Sequence, residues 1–264
     1  MESENIMIDI TSTVLPIIRA TRELLLPKYG CVEELTRKGA YPASAVTELD
    51  LAVEAFLAAE LKKSHPSIGF VGEESGGDRS AERFWLCDPI DGTGYYIRGV
   101  PFCTVMLALI EGEKVVFGAI YDFVNDVVYH AERGKGAFAN ERKISVSGRG
   151  IDNAYIMLES RIEKQENLAL YLELHKRVCL TKTMCSGYEH VMVATGGAEA
   201  RICRDPYGKD YDYAAGSLLV EEAGGIVANL GKHSYDYRNR DYIAANPVIF
   251  KALTEGSDAL FPLE

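Results

Sequence analysis

"LCDPIDGTGYY", Leu86 to Tyr96, is the stretch on which the reading of this chain turns. An apolar run feeds directly into two carboxylates three residues apart, Asp88 and Asp91, with Pro89 between them and Gly92-Thr93 behind. Asp-Pro and Asp-Gly are common turn dipeptides, because proline fixes φ and glycine tolerates φ > 0. Taken alone, the stretch reads as a strand ending in a turn. A prolyl turn between two acids can also aim both side chains, and the Ile90 carbonyl, at one centre, and oxygen donors so placed suit a hard divalent cation.

Two more segments run an apolar element into an acid. "GEES", Gly72 to Ser75, ends a strand-like run, and "KDYDYAAGSLLVEEAGG" opens a helix at Asp212. Each has a plain structural account, Asp212 as a helix cap and Glu73-Glu74 as an exposed pair at a strand end. Jointly, they put acids from separate segments at element ends. Two Mg²⁺ ions about 3.5–4 Å apart can activate a water and stabilise a leaving oxygen, and such a pair needs a bridging carboxylate.

Composition narrows the classes. With 264 residues, 47% hydrophobic and 25% charged, the chain is an ordinary globular protein large enough for a substantial core. The net charge of −11 leaves no basic stripe for a nucleic-acid backbone. It also looks wrong for an anionic small substrate, unless bound cations cover the acidic site. The longest apolar runs, such as "TVMLALI", are far too short to span a bilayer. No basic segment followed by an apolar one opens the chain, so a cytoplasmic location is expected. The six cysteines form no C-x-x-C pair, and the five histidines include no H-E-x-x-H, so any metal site should be built from oxygen.

Along the chain, Asn5 to Leu26 has apolar residues at helical spacing and Pro27 to stop it. Cys31 to Tyr41 reads as a mobile loop. Val46 to Lys63 reads as an amphipathic helix with Thr47 as N-cap, Asp50 three residues on, and Leu51, Ala55, Leu57 and Leu61 inside. Strand-like runs from Ile68 to Gly134 predict a largely antiparallel sheet. "GRGID", Gly148 to Asp152, is the expected boundary between a metal-binding α+β half (1–148) and an α/β half (149–264) that completes the active site and substrate pocket. Past it, strands near 154–158, 180–184 and 199–203 alternate with helices over 164–177, 188–195 and 212–223, the last stopped by Gly224-Gly225. Strands "GIVANL" and "YIAAN" and a helix from Pro247 follow. The fold class is α/β (α+β), a layered alternation of helices and sheets.

"DPIDGT", "GEES" and "DYAAGSLLVEEAGG" resemble the three signatures of the inositol monophosphatase family, and "AVTELD" (Ala45 to Asp50) resembles a fourth, weaker one. The resemblance covers nearly the whole chain in order and spacing. It implies an alternating α and β sandwich of the sugar phosphatase type, and a Mg²⁺-dependent, lithium-sensitive phosphatase of small phosphate esters that forms a homodimer. It also implies that Glu73, Asp88, Asp91, Asp212 and the Ile90 carbonyl hold two or three Mg²⁺, with Mn²⁺ as an alternative. By the same resemblance Gly92 and Thr93 hold the phosphate through backbone amides, and Asp50 orients the Thr93 hydroxyl. Thr93, Asp50 and Glu73 would then prepare a water for in-line attack. Asp91 and Asp212 would face the substrate as well.

The chain departs from the family pattern at Gly94-Tyr95-Tyr96, at Tyr211 where Trp is common, and at "MCSG" (Met184 to Gly187) in place of the substrate loop. On the alcohol side the expected contacts are Ser186, Lys209 and Asp205, the last standing where relatives often place a sugar-hydroxyl acceptor. Lys209 and Arg204 are alternatives for a second phosphate. The leading expectation is therefore hydrolysis of inositol 1-phosphate or a related polyol or sugar phosphate. Fructose-1,6-bisphosphatase activity, 3′-phosphoadenosine 5′-phosphate phosphatase activity and an inactive metal-binding relative are the alternatives. Neither nucleic acid nor membrane is an expected partner.

Overall fold

The computed structural model describes residues 9–32, 36–37 and 45–264. The described residues begin with α1 (Ile10–Ala20) and the single turn α2 (Arg22–Leu25), and β1 (Thr36–Arg37) pairs with β2 (Ala45–Val46). Helix α3 (Glu48–Ser64) leads into seven strands: β3 (Gly69–Gly72), β4 (Arg83–Asp91), β5 (Thr104–Glu111), β6 (Lys114–Asp122), β7 (Val127–Glu132), β8 (Gly136–Ala139) and β9 (Arg142–Lys143). The five-residue α4 (Thr93–Ile97) sits between β4 and β5. These strands form one sheet in sequence order, antiparallel except for the parallel β3–β4 pair.

The second half contributes β10 (Tyr155–Ser160), α5 (Gln165–His175), β11 (Cys179–Lys182), α6 (Ser186–Ala194), β12 (Ala200–Arg204), α7 (Ala214–Glu222), β13 (Ile226–Asn229), β14 (Tyr242–Ala245) and α8 (Pro247–Thr254). Its sheet has the order β11-β10-β12-β14-β13, parallel about β10 and antiparallel about β14.

Period-two alternation explains the layering. In β5, Val105, Leu107 and Leu109 pack with Val14, Ile18, Val53 and Leu57 of the N-terminal helices. The intervening Met106, Ala108 and Ile110 join Val191, Leu218 and Leu219 of α6 and α7, together with Val227 and Ala244 of the second sheet. The outer face of that second sheet packs on α5 and α8 through Ile156, Ile243, Leu170, Leu174 and Ile249. The result is helices, sheet, helices, sheet, helices, and the middle core is shared by both halves. Among the described residues no helix is long and apolar enough to cross a membrane.

Several expectations need correction. The N-terminal helix breaks at Thr21, whose hydroxyl turns back to the Ile18 carbonyl at 2.6 Å, and Pro27 lies inside a short 3₁₀ turn, Leu26–Lys28. The segment 5–8 and most of the loop expected over Cys31–Tyr41 lie outside the described residues. In α3, Leu51 is 51% exposed and Ala55 is exposed; the buried face carries Leu49, Asp50, Val53, Glu54, Leu57 and Leu61. The face is rotated because two acids point inward to hold backbone, as described below. Most informative, Asp-Pro-Ile-Asp is not a turn after the strand but forms its last four residues. β4 runs through Asp91 with a register irregularity between Asp88 and Asp91. The irregularity releases ladder pairing where Pro89 has no N–H to give, so proline is accepted inside a sheet.

Candidate active site

The acids gather at the end of β4. Carboxylate oxygens of Asp88, Asp91 and Asp212 lie within 4.8 Å of one another. Asp88 and Asp91 are buried, and Asp212 is half-buried. Glu73 comes alongside because β3 is the parallel neighbour of β4, its N–H donating to the Cys87 carbonyl at 3.0 Å. The Tyr211 hydroxyl donates to Glu73 Oε1 at 3.2 Å, so the Tyr that stands in place of Trp ties two acidic segments together.

Burial and mutual repulsion set the electrostatics. Burial first, then the Glu73 carboxylate, pushes Asp88 and Asp212 well above the usual carboxylate range. Burial raises Asp91 too, opposed by the bonds from Cys185 and Gly187. A cluster that resists its own ionisation, made of hard oxygen donors, can hold a divalent metal.

Asp91 is also the link between halves. Its Oδ2 accepts the Gly187 N–H at 2.5 Å and the Cys185 thiol at 3.0 Å, with the Thr104 hydroxyl 3.5 Å away. Asp91 thus caps the first turn of α6 from another sheet, where a negative charge is favoured. A Cβ on Gly187 would stand 2.2 Å from Thr104 Oγ1 and 3.1 Å from Asp91 Oδ2, so the approach requires glycine. Sequence reasoning missed both Cys185 and Gly187 as holders of Asp91; nothing local marks them.

Gly92 turns the chain out of β4 with φ 84°, and its Cβ would collide with the Phe102 carbonyl, so only glycine fits before Thr93. The Thr93 hydroxyl lies 2.8 Å from the Ile90 carbonyl and 3.0 Å from Asp50 Oδ1. Asp50 divides its two oxygens. Oδ2 accepts the N–H and hydroxyl of Thr47, both at 2.7 Å, completing the capping box of α3, while Oδ1 faces Thr93. Burial outweighs these bonds and raises the Asp50 carboxyl to about 6. One turn on, buried Glu54 accepts the N–H groups of Glu74 and Ser75, each at 2.8 Å, and so fixes the "GEES" turn. Glu54 also escaped the sequence reading, because an acid inside an amphipathic helix looks solvent-facing.

In the second half, Asp212 does not cap α7; it closes a 3₁₀ turn, Asp210–Asp212, with Oδ2 accepting the Lys209 N–H at 2.6 Å, and α7 starts after Tyr213. Ser186 is buried and donates to the Asp212 carbonyl at 2.5 Å. Asp205 lies apart from the acidic cluster, its carboxylate engaged by Arg161 at 2.7 Å, Lys164 at 2.5 Å and Asn167 at 3.0 Å. Lys209 is exposed, with its ammonium 5.7 Å from the Tyr211 ring centroid.

The model of the inositol monophosphatase family matches residues 9–259. The chain belongs to the inositol monophosphatase family. Mouse inositol monophosphatase 1 is 30% identical over 236 residues, 84% of each chain. A Pseudomonas aeruginosa protein named Nus factor SuhB is 32% identical over 222 residues, 79% of this chain and 80% of that one. The Thermotoga maritima IMPase structure superposes with a TM-score of 0.83 at 24% identity, covering 92% of this chain and 94% of that one. The layered fold and the phosphoric monoester hydrolase class follow from membership of this family of phosphatases.

Proposed function

We propose that this chain is a Mg²⁺-dependent phosphomonoesterase of a small polyol or sugar phosphate, with inositol 1-phosphate the foremost substrate. The observation that carries the proposal is the Asp88–Asp91–Asp212 cluster, three carboxylates gathered within 4.8 Å against their own repulsion. Glu73 and the Ile90 carbonyl complete a set that would hold two or three Mg²⁺, or Mn²⁺, which takes the same donors. Divalent ions bound there supply charge neutralisation for the phosphate and acidify water.

The chain's own groups do the rest. The amides of Gly92 and Thr93 bind phosphate oxygens, and Asp91 and Asp212 border the same space. The Thr93 hydroxyl orients the attacking water and donates to Asp50 Oδ1, whose carboxyl near 6 suits proton uptake close to neutral pH. Glu73, the residue after β3, would help to prepare the same water. Ser186, Asp205 and Lys209 form the alcohol side, and the functional unit is a homodimer, which light scattering checks.

A second reading, fructose-1,6-bisphosphatase activity, is favoured by the cationic side chains Arg161, Lys164 and Lys182 around Asp205 and Tyr207. Phosphate release across a panel of inositol, sugar and nucleotide phosphates, with Mg²⁺, with chelator and with Li⁺, tests both. Turnover should vanish with chelator, return with Mg²⁺ and fall with Li⁺. Full activity in excess chelator would end the metal reading.

A further inference from the structure

Arg201, on β12, is fully buried beneath the second-half loops. Its guanidinium lies 2.6 Å from Glu159 Oε2 on β10 and 2.8 Å from Glu189 Oε2 on α6, and it donates to the Tyr242 hydroxyl at 2.7 Å and to Cys203 Sγ. Each glutamate spends one oxygen on Arg201 and the other on a loop. Glu159 Oε1 accepts the N–H groups of Tyr207 at 3.0 Å and Gly208 at 2.9 Å, and the Tyr213 hydroxyl at 3.0 Å. Glu189 Oε1 accepts the Met184 N–H at 2.6 Å and the Thr183 hydroxyl at 2.8 Å.

Both loops reach the acidic cluster within one residue. The Cys185 thiol, next to Met184, donates to Asp91, and the Lys209 N–H, next to Gly208, donates to Asp212. A buried ion pair adds little net stability, because desolvation offsets the attraction, and a role in fixing geometry is its better-supported use. The fit is close: a Cβ on Gly208 would stand 2.2 Å from the Tyr213 hydroxyl oxygen.

We propose that Arg201, Glu159 and Glu189 are positioning residues that hold the 183–184 and 207–208 backbones as the wall against the leaving alcohol. The cluster thereby sets leaving-group specificity, while Asp88, Asp91 and Asp212 serve the phosphate. This rests on the phosphatase reading above, and the experiment separates the two. Steady-state kinetics with Mg²⁺ compare the parent, Glu159→Gln and Gly208→Ala on inositol 1-phosphate, fructose 1,6-bisphosphate and p-nitrophenyl phosphate, whose aryl group makes no polyol contacts. Calorimetric Mg²⁺ titration runs beside them. Gly208→Ala keeps every buried charge and displaces the same loop, so it decides alone if Glu159→Gln does not fold.

The expected result is a rise of about tenfold in KM for the better polyol or sugar ester, the mark of lost uniform binding, with kcat for p-nitrophenyl phosphate and Mg²⁺ affinity within about twofold of the parent. Equal losses on all esters with weakened Mg²⁺ binding would overturn the inference, and so would kinetics unchanged on every ester. A parent that hydrolyses none of the three removes the phosphatase reading, and this inference with it.

Discussion

Asp88, Asp91 and Asp212 form one acidic cluster; Glu159 and Glu189, under the same loops, form another, and the two are built on opposite plans. The second encloses a guanidinium: Arg201 holds Glu159 below the ordinary carboxylate range although burial alone would raise it, while at Glu189 burial outweighs Arg201 and the carboxyl stays raised. Among the described residues the first encloses no cation of its own, and burial with Glu73 drives Asp88 and Asp212 upward. Both clusters crowd negative charge, but among the described residues only the second holds a cation between its acids. On the reading proposed above, charge is left uncompensated where a cation from outside would bind, and is compensated where the backbone is held.

The sharpest way to break this contrast is to remove charge from the open cluster. Asp91→Asn and Asp212→Asn should each abolish Mg²⁺ binding by calorimetry and reduce turnover by more than about 10³-fold, because each would take one carboxylate charge from the proposed metal set. Without metal both variants should melt at or above the parent, since like charges repel in the empty cluster. An Asp212→Asn protein that binds Mg²⁺ and turns over normally would reduce Asp212 to the closing residue of its 3₁₀ turn.

A smaller effect is expected one layer out. Thr93→Ala should retain Mg²⁺ binding while kcat falls by roughly 10²–10⁴-fold, the range for losing assistance to the proton transfer. Loss of Mg²⁺ affinity in this variant would show that Thr93 acts through the Ile90 carbonyl, 2.8 Å away, and not on the water.

These variants touch residues that short motifs make visible. Thr47 and Asp50 are three apart ahead of an apolar run, and the acids of 88, 91 and 212 each follow or precede an apolar run directly, so local chemistry announces them. What the sequence hides is long-range. Glu54 looks like a surface residue until the "GEES" amides reach it from twenty residues away, and its inward turn leaves Leu51 and Ala55 on the exposed face. Asp91 is held by Cys185 and Gly187, over ninety residues on, and no spacing rule connects them. The strand through Pro89 was hidden because proline is a reliable breaker only where the ladder needs its missing N–H.

Asp50→Asn sharpens the comparison through pH. A folded carboxyl raised to about 6 from an unfolded value near 3.8 binds its proton more tightly in the native state. Its contribution to stability is complete below the unfolded value and is lost as pH rises through about 6. Asparagine carries no such loss and can still accept the Thr47 N–H. The difference in Tm, variant minus parent, should therefore be more positive at pH 7.5 than at pH 4, while turnover falls because Thr93 loses its carboxylate acceptor and keeps the Ile90 carbonyl. A difference that does not vary with pH would mean that Asp50 ionises freely in the native protein.

The smallest effect is expected at Asp205, an acid on the compensated plan but near the surface. Its side chain is 29% exposed and shared by Arg161 and Lys164, so the pairs are screened and contribute little to stability. Lys164, then Arg161 and Asn167, holds the carboxyl below its usual range, so what it contributes is present at neutral pH and lost as pH falls through the acid range. Asp205→Ala should leave Tm at pH 7 within a few degrees and kcat nearly unchanged. Its effect on KM should differ in sign between substrates. A polyol monophosphate that donates a hydroxyl to Asp205 loses that contact, and its KM rises a few-fold, as for uniform binding lost far from phosphorus. A bisphosphate meets two cations freed from their partner, and its KM falls. Kinetics on inositol 1-phosphate and fructose 1,6-bisphosphate, repeated at two salt concentrations, distinguish these outcomes, because only the second is weakened by screening. If both KM values stay put at low salt, Asp205 serves only to fix Arg161 and Lys164, and the alcohol is recognised by the loops that Arg201 anchors.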